Sequence, residues 1–471
     1  MKPLPGKLGG LSLRGQVASL AVWPLFELLL MSLVGLVDTA IAGQISPVAL
    51  DAIGVAAYVG WLLGMLHNAV GVGAGALIGR LIGGGRRHRA DAALGQALMI
   101  ATAWGLATGV AIAACAGPIA SLFRMPPAQH ELVVMYLVIF AGGSPLFALL
   151  TVGNAALKAA GDTRTPFLTM AVANVVNVGA SLLFVYGPNE PIAGIGVAIG
   201  GYGVGGIAMG TVVAWAVGAA ITLSVLKGWV PSPCSIRLHA RWLVPRRRPI
   251  GRIVRVALPA LVESSGMWIG NAIIGGFVGV LMAKEGVDGL MAAHIVAIRL
   301  ESLSFLPGMS LGVAAATLGA QYLGAGRPDE AARAIRLCWA VGAGLMTVLG
   351  VLFLTIPHAL VWPMAPGEEM ANVREQAAVL LMICGPAQVF FGSYLVLSQA
   401  LRGAGDTRGA MTITYASTFL VRLPLAWFLA FGMGWGLTGM WFGLCSELVV
   451  RGLLFVGRFW LGPWRTMKVA A

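Results

Sequence analysis

The sequence predicts an all-α membrane protein with twelve transmembrane helices in two pseudo-symmetric six-helix bundles. Two observations lead to this fold class. Apolar residues make up 58% of the 471-residue chain and charged residues only 10%, whereas soluble proteins have roughly 25% charged residues. The chain also repeats itself, because Leu157–Arg164 returns as Leu401–Arg408 with Gly-Asp-Thr-Arg at the end of both copies. Internal repeats of this kind are typical of secondary transporters.

Charged residues and turn residues divide the chain into twelve apolar stretches. Each is near the length of about 20 residues that a helix needs to cross the hydrocarbon. The first stretch follows basic residues, as in a signal peptide, but its length and its acidic residues Glu27 and Asp38 indicate a retained helix. The predicted spans are residues 16–43, 50–82, 91–115, 131–153, 165–187, 203–226, 253–283, 290–323, 332–356, 376–400, 409–431 and 436–460.

Basic residues give the predicted orientation and the domain organisation. They are concentrated in the even-numbered loops and the tail, whereas the odd-numbered loops contain little beyond Arg124, Lys284 and Arg374. Because short loops rich in lysine and arginine stay in the cytoplasm, we expect both termini to be cytoplasmic. The net charge of +13 then reflects contacts with anionic lipid head groups, and no nucleic-acid partner is expected. The predicted domains are an N-terminal six-helix lobe (1–226), a cytoplasmic basic linker (227–252) and a C-terminal six-helix lobe (253–471).

Ionisable residues inside the spans are the candidate functional groups, because an aspartate or arginine at mid-helix costs about 2.5–3.5 kcal/mol. Asp38 lies deep in the first span, with Thr39 as its only adjacent polar residue. Desolvation favours the protonated form of such a carboxylate, so Asp38 can carry a proton as water access alternates. The same carboxylate could bind a sodium ion with further oxygen ligands, or serve helix packing alone. Glu301 in the eighth span is the second candidate proton site.

Other charged residues in the spans are interpreted as structural. Glu447 and Arg451 are four residues apart on the twelfth span, a spacing that predicts an ion pair. Arg422 lies two residues before a proline and is expected to bond to carbonyls that the proline frees. Glu27 and Glu263 each follow a proline near a cytoplasmic helix end, where we expect them to extend to the interface or cap the helix.

The motifs together resemble the multidrug and toxic compound extrusion (MATE) family over about residues 15 to 460. They are the paired Gly-Asp-Thr-Arg segments, the element Val37–Thr39, and the glycine-rich helix ends Gly83–Arg86 and Gly324–Arg327. The resemblance implies two bundles around a V-shaped central cavity, and export of small cationic or amphipathic organic compounds in exchange for protons or sodium ions. It also implies a multi-pass protein of the bacterial inner membrane in contact with lipids. We expect a monomer without a cofactor.

The first lobe looks closer to the DinF-like branch of that family. The branch carries an Asp on helix 1, a Tyr on helix 4, an Asn on helix 5 and a Thr on helix 6, which Asp38, Tyr136, Asn177 and Thr211 match. A second Asp of the branch, four residues after the Asn, is replaced here by Ser181. Because a cation in a low-dielectric site prefers more than one anionic oxygen, the sequence favours proton coupling, with sodium at Asp38 and Asn177 as the alternative.

Other functional classes find less support in the sequence. The five cysteines have neither zinc-site nor disulfide-framework spacing, and no Walker A motif for ATP hydrolysis occurs. A membrane enzyme needs clustered catalytic groups, which the spans lack, so we expect a transporter and not an enzyme. The alternative function is a flippase for lipids or lipid-linked oligosaccharides of the same superfamily, which the paired Gly-Asp-Thr-Arg motifs disfavour.

Overall fold

The computed structural model describes residue 4 and residues 6–122, 126–186, 201–285 and 289–467, so Arg124 lies outside the described residues. Within these ranges, twelve helices have the length and apolar composition needed to cross a membrane, and the predicted fold class is confirmed. They are α1 (Leu13–Ile45), α2 (Ala52–Gly83), α3 (Arg87–Ser121), α4 (Gln129–Ala159), α5 (Arg164–Val185), α6 (Val204–Lys227), α7 (Arg247–Lys284), α8 (Leu290–Gly324), α9 (Pro328–Thr355), α10 (Glu368–Ala404), α11 (Thr407–Gly432) and α12 (Gly436–Leu461).

Each Gly-Asp-Thr-Arg motif forms the corner between two spanning helices. Gly161 after α4 and Gly405 after α10 have φ angles of 91° and 93°, a left-handed conformation that glycine adopts without a Cβ clash. The aspartates that follow cap the next helix. Asp162 Oδ1 and Asp406 Oδ1 each accept the amide three residues later, at 3.0 and 3.2 Å. The repeated motif therefore ends one helix and begins the next.

The chain forms two compact units. Unit 1 contains Val22–Ala257, and unit 2 contains Leu11–Ala21 with Leu258–Val469. In unit 1, α2, α3 and α4 pack against one another, and α4 and α5 both pack against α6. In unit 2, α8, α9 and α10 pack against one another, and α10 packs against α12. The packing of the first half thus recurs six helices later, in agreement with the internal repeat of the sequence.

Three spans of unit 2 depart from a regular α-helix. The helix α8 turns at Phe305, and α10 tightens into a 3-10 turn at Gly385–Ala387. The helix α11 contains two π-helical turns, Ser417–Arg422 and Phe428–Gly432. Turns of the π type inside helices are frequent at functional sites, and the first of them carries Arg422.

The segment between α6 and α7 is bonded to unit 1. The buried side chain of Gln96 on α3 donates to the carbonyls of Trp242 and Val244 at 2.6 and 2.9 Å, and it accepts the Arg246 amide at 2.8 Å. Asp91 on the same helix accepts a further amide of this segment at 2.8 Å. Side chains of α3 therefore hold the backbone of the basic linker in place, with charge-assisted bonds where Asp91 takes part.

Candidate functional site

The five residues that the sequence predicts for the first lobe lie on four helices of unit 1. Asn177 Nδ2 on α5 donates to Thr211 Oγ1 on α6 at 3.1 Å, and Tyr136 on α4 lies close to the same threonine. Tyr136 also lies within electrostatic reach of Asp38 on α1. Ser181 follows Asn177 by one helical turn, so both face the same side of α5. The structure therefore brings the predicted residues together.

Three oxygen atoms of this cluster have no hydrogen-bond partner among the described residues. They are Asp38 Oδ1, Asn177 Oδ1 and Ser181 Oγ, and all three atoms are buried. A buried polar atom left unpaired costs about 1–3 kcal/mol, and it finds no water in the hydrocarbon to compensate. The three oxygens are thus free to accept a proton, a proton-carrying water or a cation. The Thr211 hydroxyl, in contrast, already donates to the Ile207 carbonyl at 3.1 Å.

Glycines on α6 explain how α5 comes so close to this cluster. A Cβ atom on Gly210 would lie 2.6 Å from the Ser181 amide nitrogen, and one on Gly206 would lie 2.6 Å from the Phe184 carbonyl carbon. Both distances are shorter than any van der Waals contact. Small residues four apart on a membrane helix allow this kind of close approach. The pair Gly206 and Gly210 therefore sets the distance between Asn177 on α5 and the Thr211 hydroxyl.

Replacing Gly210 by alanine is expected to separate α5 from α6 and to weaken the contact between Asn177 and Thr211. Overpacking of this kind costs about 1–3 kcal/mol. We therefore expect a lower rate of dye efflux from vesicles that contain this variant. Gly179→Ala on α5 is the control, because a Cβ atom there meets nothing within 4 Å. Equal transport by the two variants would contradict this account of the glycine pair.

Aromatic rings extend the cluster and were not identified from the sequence. Tyr136 stacks on Phe140 with ring centroids 5.9 Å apart, and Phe140 lies edge-on to Trp215 at 4.6 Å. Trp215 stacks in turn on Phe147 at 4.5 Å. The signal that could have found them is spacing, because Phe140 and Trp215 follow Tyr136 and Thr211 by one helical turn each. Exposed faces of such rings attract organic cations.

Unit 2 contains a second group of buried charges. Arg451 on α12 forms an ion pair with Glu447, with 2.5 Å between Nη2 and Oε1. Its guanidinium also donates to the hydroxyls of Ser417 and Thr418 on α11 at 2.9 and 2.8 Å, and it lies over the Tyr394 ring. This arrangement satisfies an arginine that is 1% exposed. The additional bonds offset the desolvation cost on the arginine side of the pair only, because both Glu447 oxygens are buried without a hydrogen bond among the described residues.

Glu301 and Arg422 belong to the same group but are less completely paired. Glu301 on α8 lies close to Cys384 on α10, and Arg422 on α11 lies near Glu301 and Glu447 without forming an ion pair to either of them. The expected bonds from Arg422 to freed carbonyls are not observed among the described residues. The π-helical turns before and after Pro424 redistribute the backbone hydrogen bonds of α11 instead.

The expectation that Glu27 and Glu263 extend to the interface is wrong. Glu27 accepts from Lys158 Nζ at 2.8 Å. Glu263 forms a double contact with Arg402, at 3.2 and 2.7 Å, and also accepts the Thr414 hydroxyl at 2.7 Å. Lys158 and Arg402 occupy the same position of the repeated motif, so each unit has an equivalent ion pair. The two partners lie 131 and 139 residues away in the chain, beyond the reach of local pattern reasoning.

Comparison with known proteins gives matches across most of the chain. The family model described as MatE matches residues 25–183 and 259–428. A relative named "Probable multidrug resistance protein NorM", from Thermotoga maritima, is 26% identical and covers 97% of this chain and 94% of its own length. A protein named "FAD transporter", from Shewanella oneidensis, is 25% identical, with 84% of each chain covered. A crystal structure of a variant of the Vibrio cholerae MATE transporter VcmN has a TM-score of 0.84 at 18% identity, covering 97% of this chain and 99% of the other. That similarity shows a shared fold.

Proposed function

Because this chain belongs to the MatE family, whose members are transporters that need no cofactor and are not enzymes, we propose that it is a secondary active multidrug efflux antiporter. Its proposed substrates are small cationic or amphipathic organic compounds, exported in exchange for protons across the bacterial inner membrane, with both chain termini in the cytoplasm. The observation that carries the proposal is the buried cluster around Asp38, with three unpaired oxygens beside a row of aromatic rings.

Competition for one carboxylate explains how export is coupled to proton entry. An ionised Asp38 beside Tyr136 attracts an organic cation, and the rings of Phe140 and Trp215 add cation–π and dispersion contacts. Protonation of Asp38 removes the negative charge and weakens this attraction, so the cation leaves on the side where protons enter. Release of the proton to the cytoplasm restores the charge. Carriers built from repeats expose such a site to each side of the membrane in turn.

Protons are favoured over sodium ions because the cluster offers few ligands to a metal cation. Among the described residues, Asp38 supplies the only carboxylate of the cluster. Ser181 stands at the position where the DinF-like pattern has its second acid. The Thr211 oxygen already accepts the Asn177 amide and donates to the Ile207 carbonyl. Two neutral oxygens, on Asn177 and Ser181, remain to complete a sodium shell. A hard cation leaves water only for a fuller set of oxygen ligands.

The experiment that tests this function is efflux of a fluorescent cationic dye from reconstituted vesicles. A proton gradient is imposed in sodium-free buffer, and a sodium gradient is imposed at equal pH on the two sides. We expect dye to move towards the acidic compartment and to ignore the sodium gradient. Movement driven by sodium alone would replace proton coupling by the alternative site at Asp38 and Asn177. Failure of both gradients, with translocation of a lipid-linked oligosaccharide, would establish the flippase instead.

A further inference from the structure

Three arginines of unit 2 face acidic residues inside the helix bundle, and one of them has no direct partner. Arg402 pairs with Glu263, and Arg451 pairs with Glu447, at 2.7 and 2.5 Å. Arg422 forms no ion pair within the described part of unit 2, and its Nε atom is buried without a hydrogen bond. A guanidinium has five N–H donors and no means of losing its charge in a protein, so leaving it unpaired is strongly unfavourable.

The groups around Arg422 do not supply the missing partner. Glu447 forms its ion pair with Arg451 and none with Arg422, although neither of its buried oxygens accepts a hydrogen bond. Glu301 on α8 lies within electrostatic reach of Arg422 without forming an ion pair. His294, on the same helix, accepts an indole N–H at Nδ1 over 3.1 Å and is therefore a neutral imidazole. Arg422 and Arg451 thus lie near two glutamates, but only Arg451 forms an ion pair. The guanidinium of Arg422 is left without a carboxylate partner among the described residues.

The arrangement fits an anionic group on the transported compound. The fork of a guanidinium matches the two oxygens of a carboxylate, which it binds through parallel, charge-assisted hydrogen bonds. Arg422 is half-buried, so its side chain is not fully enclosed by the helices around it. Resting on the proposed efflux function, we propose that Arg422 is a binding site for the carboxylate of zwitterionic amphipathic substrates, separate from the Asp38 cluster of unit 1.

Two rhodamines test this proposal, because rhodamine 123 is the methyl ester of rhodamine 110 and lacks its free carboxylate. Binding of both dyes to the purified full chain is measured by fluorescence polarisation, and efflux of both is measured in vesicles. We expect Arg422→Gln to weaken rhodamine 110 binding by roughly tenfold or more, the scale of a lost hydrogen bond to a charged group. Rhodamine 123 binding should be unchanged. Arg422→Lys should give an intermediate loss, since it keeps the charge and loses the fork.

A second variant should increase the affinity for rhodamine 110, an effect that a misfolded protein would not produce. Glu301→Gln removes the acid that competes for Arg422, so rhodamine 110 should bind more tightly than to the wild type. Arg336→Gln on α9 is the control, because its Nε donates to the Ala332 carbonyl outside this group.

Several results would overturn the carboxylate site. They are an equal loss of both dyes in Arg422→Gln, unchanged rhodamine 110 binding in that variant, or weaker rhodamine 110 binding in Glu301→Gln. Wild-type vesicles that export neither dye, while rhodamine 110 binding still depends on Arg422, would refute the efflux function and leave the binding site standing.

Discussion

Asp38→Asn is expected to lower the affinity for an organic cation roughly a hundredfold and to abolish proton-driven efflux. The substitution keeps the shape of the side chain but removes both its charge and its titratable proton. An interaction with a partly desolvated charge contributes on the order of 3 kcal/mol, which corresponds to about a factor of a hundred in affinity. Dye binding without a gradient and dye efflux with a proton gradient are measured on the same preparation. Binding tests the attraction of the Asp38 charge for the cation, and efflux tests whether Asp38 carries the coupled proton.

Asp329→Asn is the matched control for this prediction. Asp329 is exposed in the first turn of α9, where the same change of charge touches no buried group. Its efflux should equal that of the wild type. If Asp38→Asn exported dye at the wild-type rate, the coupling carboxylate would have to be sought elsewhere, and Glu301 in unit 2 would be the next residue to replace.

Arg402→Met is expected to destabilise the protein by about 3–5 kcal/mol, the usual result of removing one partner of a buried ion pair. Glu263 is 1% exposed, and Arg402 provides two of its contacts. Without the arginine, a carboxylate would remain charged and unpaired inside unit 2. Thermal unfolding of purified protein, followed by tryptophan fluorescence, should show the loss as a large downward shift of the midpoint.

Two further variants separate the buried charge from the loss of packing. The double variant Glu263→Met with Arg402→Met removes both charges and should recover most of the stability, since a paired set can be replaced by apolar side chains at little cost. Lys158→Met in unit 1 should cost less than Arg402→Met, because the carboxylate left behind would be the 8% exposed Glu27 and not the 1% exposed Glu263. A double variant as unstable as Arg402→Met alone would contradict the explanation by an unpaired charge.

Much of the fold followed from local features of the sequence. The number of spans could be predicted because the free energy of inserting a helix depends on the composition of about 20 successive residues. Helix ends were less well predicted, and α7 begins at Arg247 instead of near residue 253. Backbone groups at a helix end can hydrogen bond to capping side chains or to the polar membrane interface. A helix can therefore continue into polar residues, and hydropathy alone does not mark where it ends.

The candidate site of unit 1 could be named from sequence, but its surroundings could not. Asp38 stood out because a charged residue in an apolar span is a local signal, whereas Asn177 and Ser181 were assigned to the site through the family resemblance. Phe140 and Trp215 are apolar residues in apolar spans, and the only local signal for them is that each follows a predicted site residue by one helical turn. Their contacts with each other and with Tyr136 form only when α4 and α6 pack together.

The sequence by itself determined the twelve spans, the duplicated architecture and the capped corners, because these depend on hydropathy and backbone conformation over a few residues. Only the tertiary structure decided which charges are neutralised. Glu27 and Glu263 find their partners on distant helices, whereas Arg422 finds none among the described residues. The physical reason is that the free-energy cost of a buried charge depends on whether an opposite charge or a hydrogen-bond partner lies within a few ångströms. Helix packing, and not proximity in the sequence, brings those partners together.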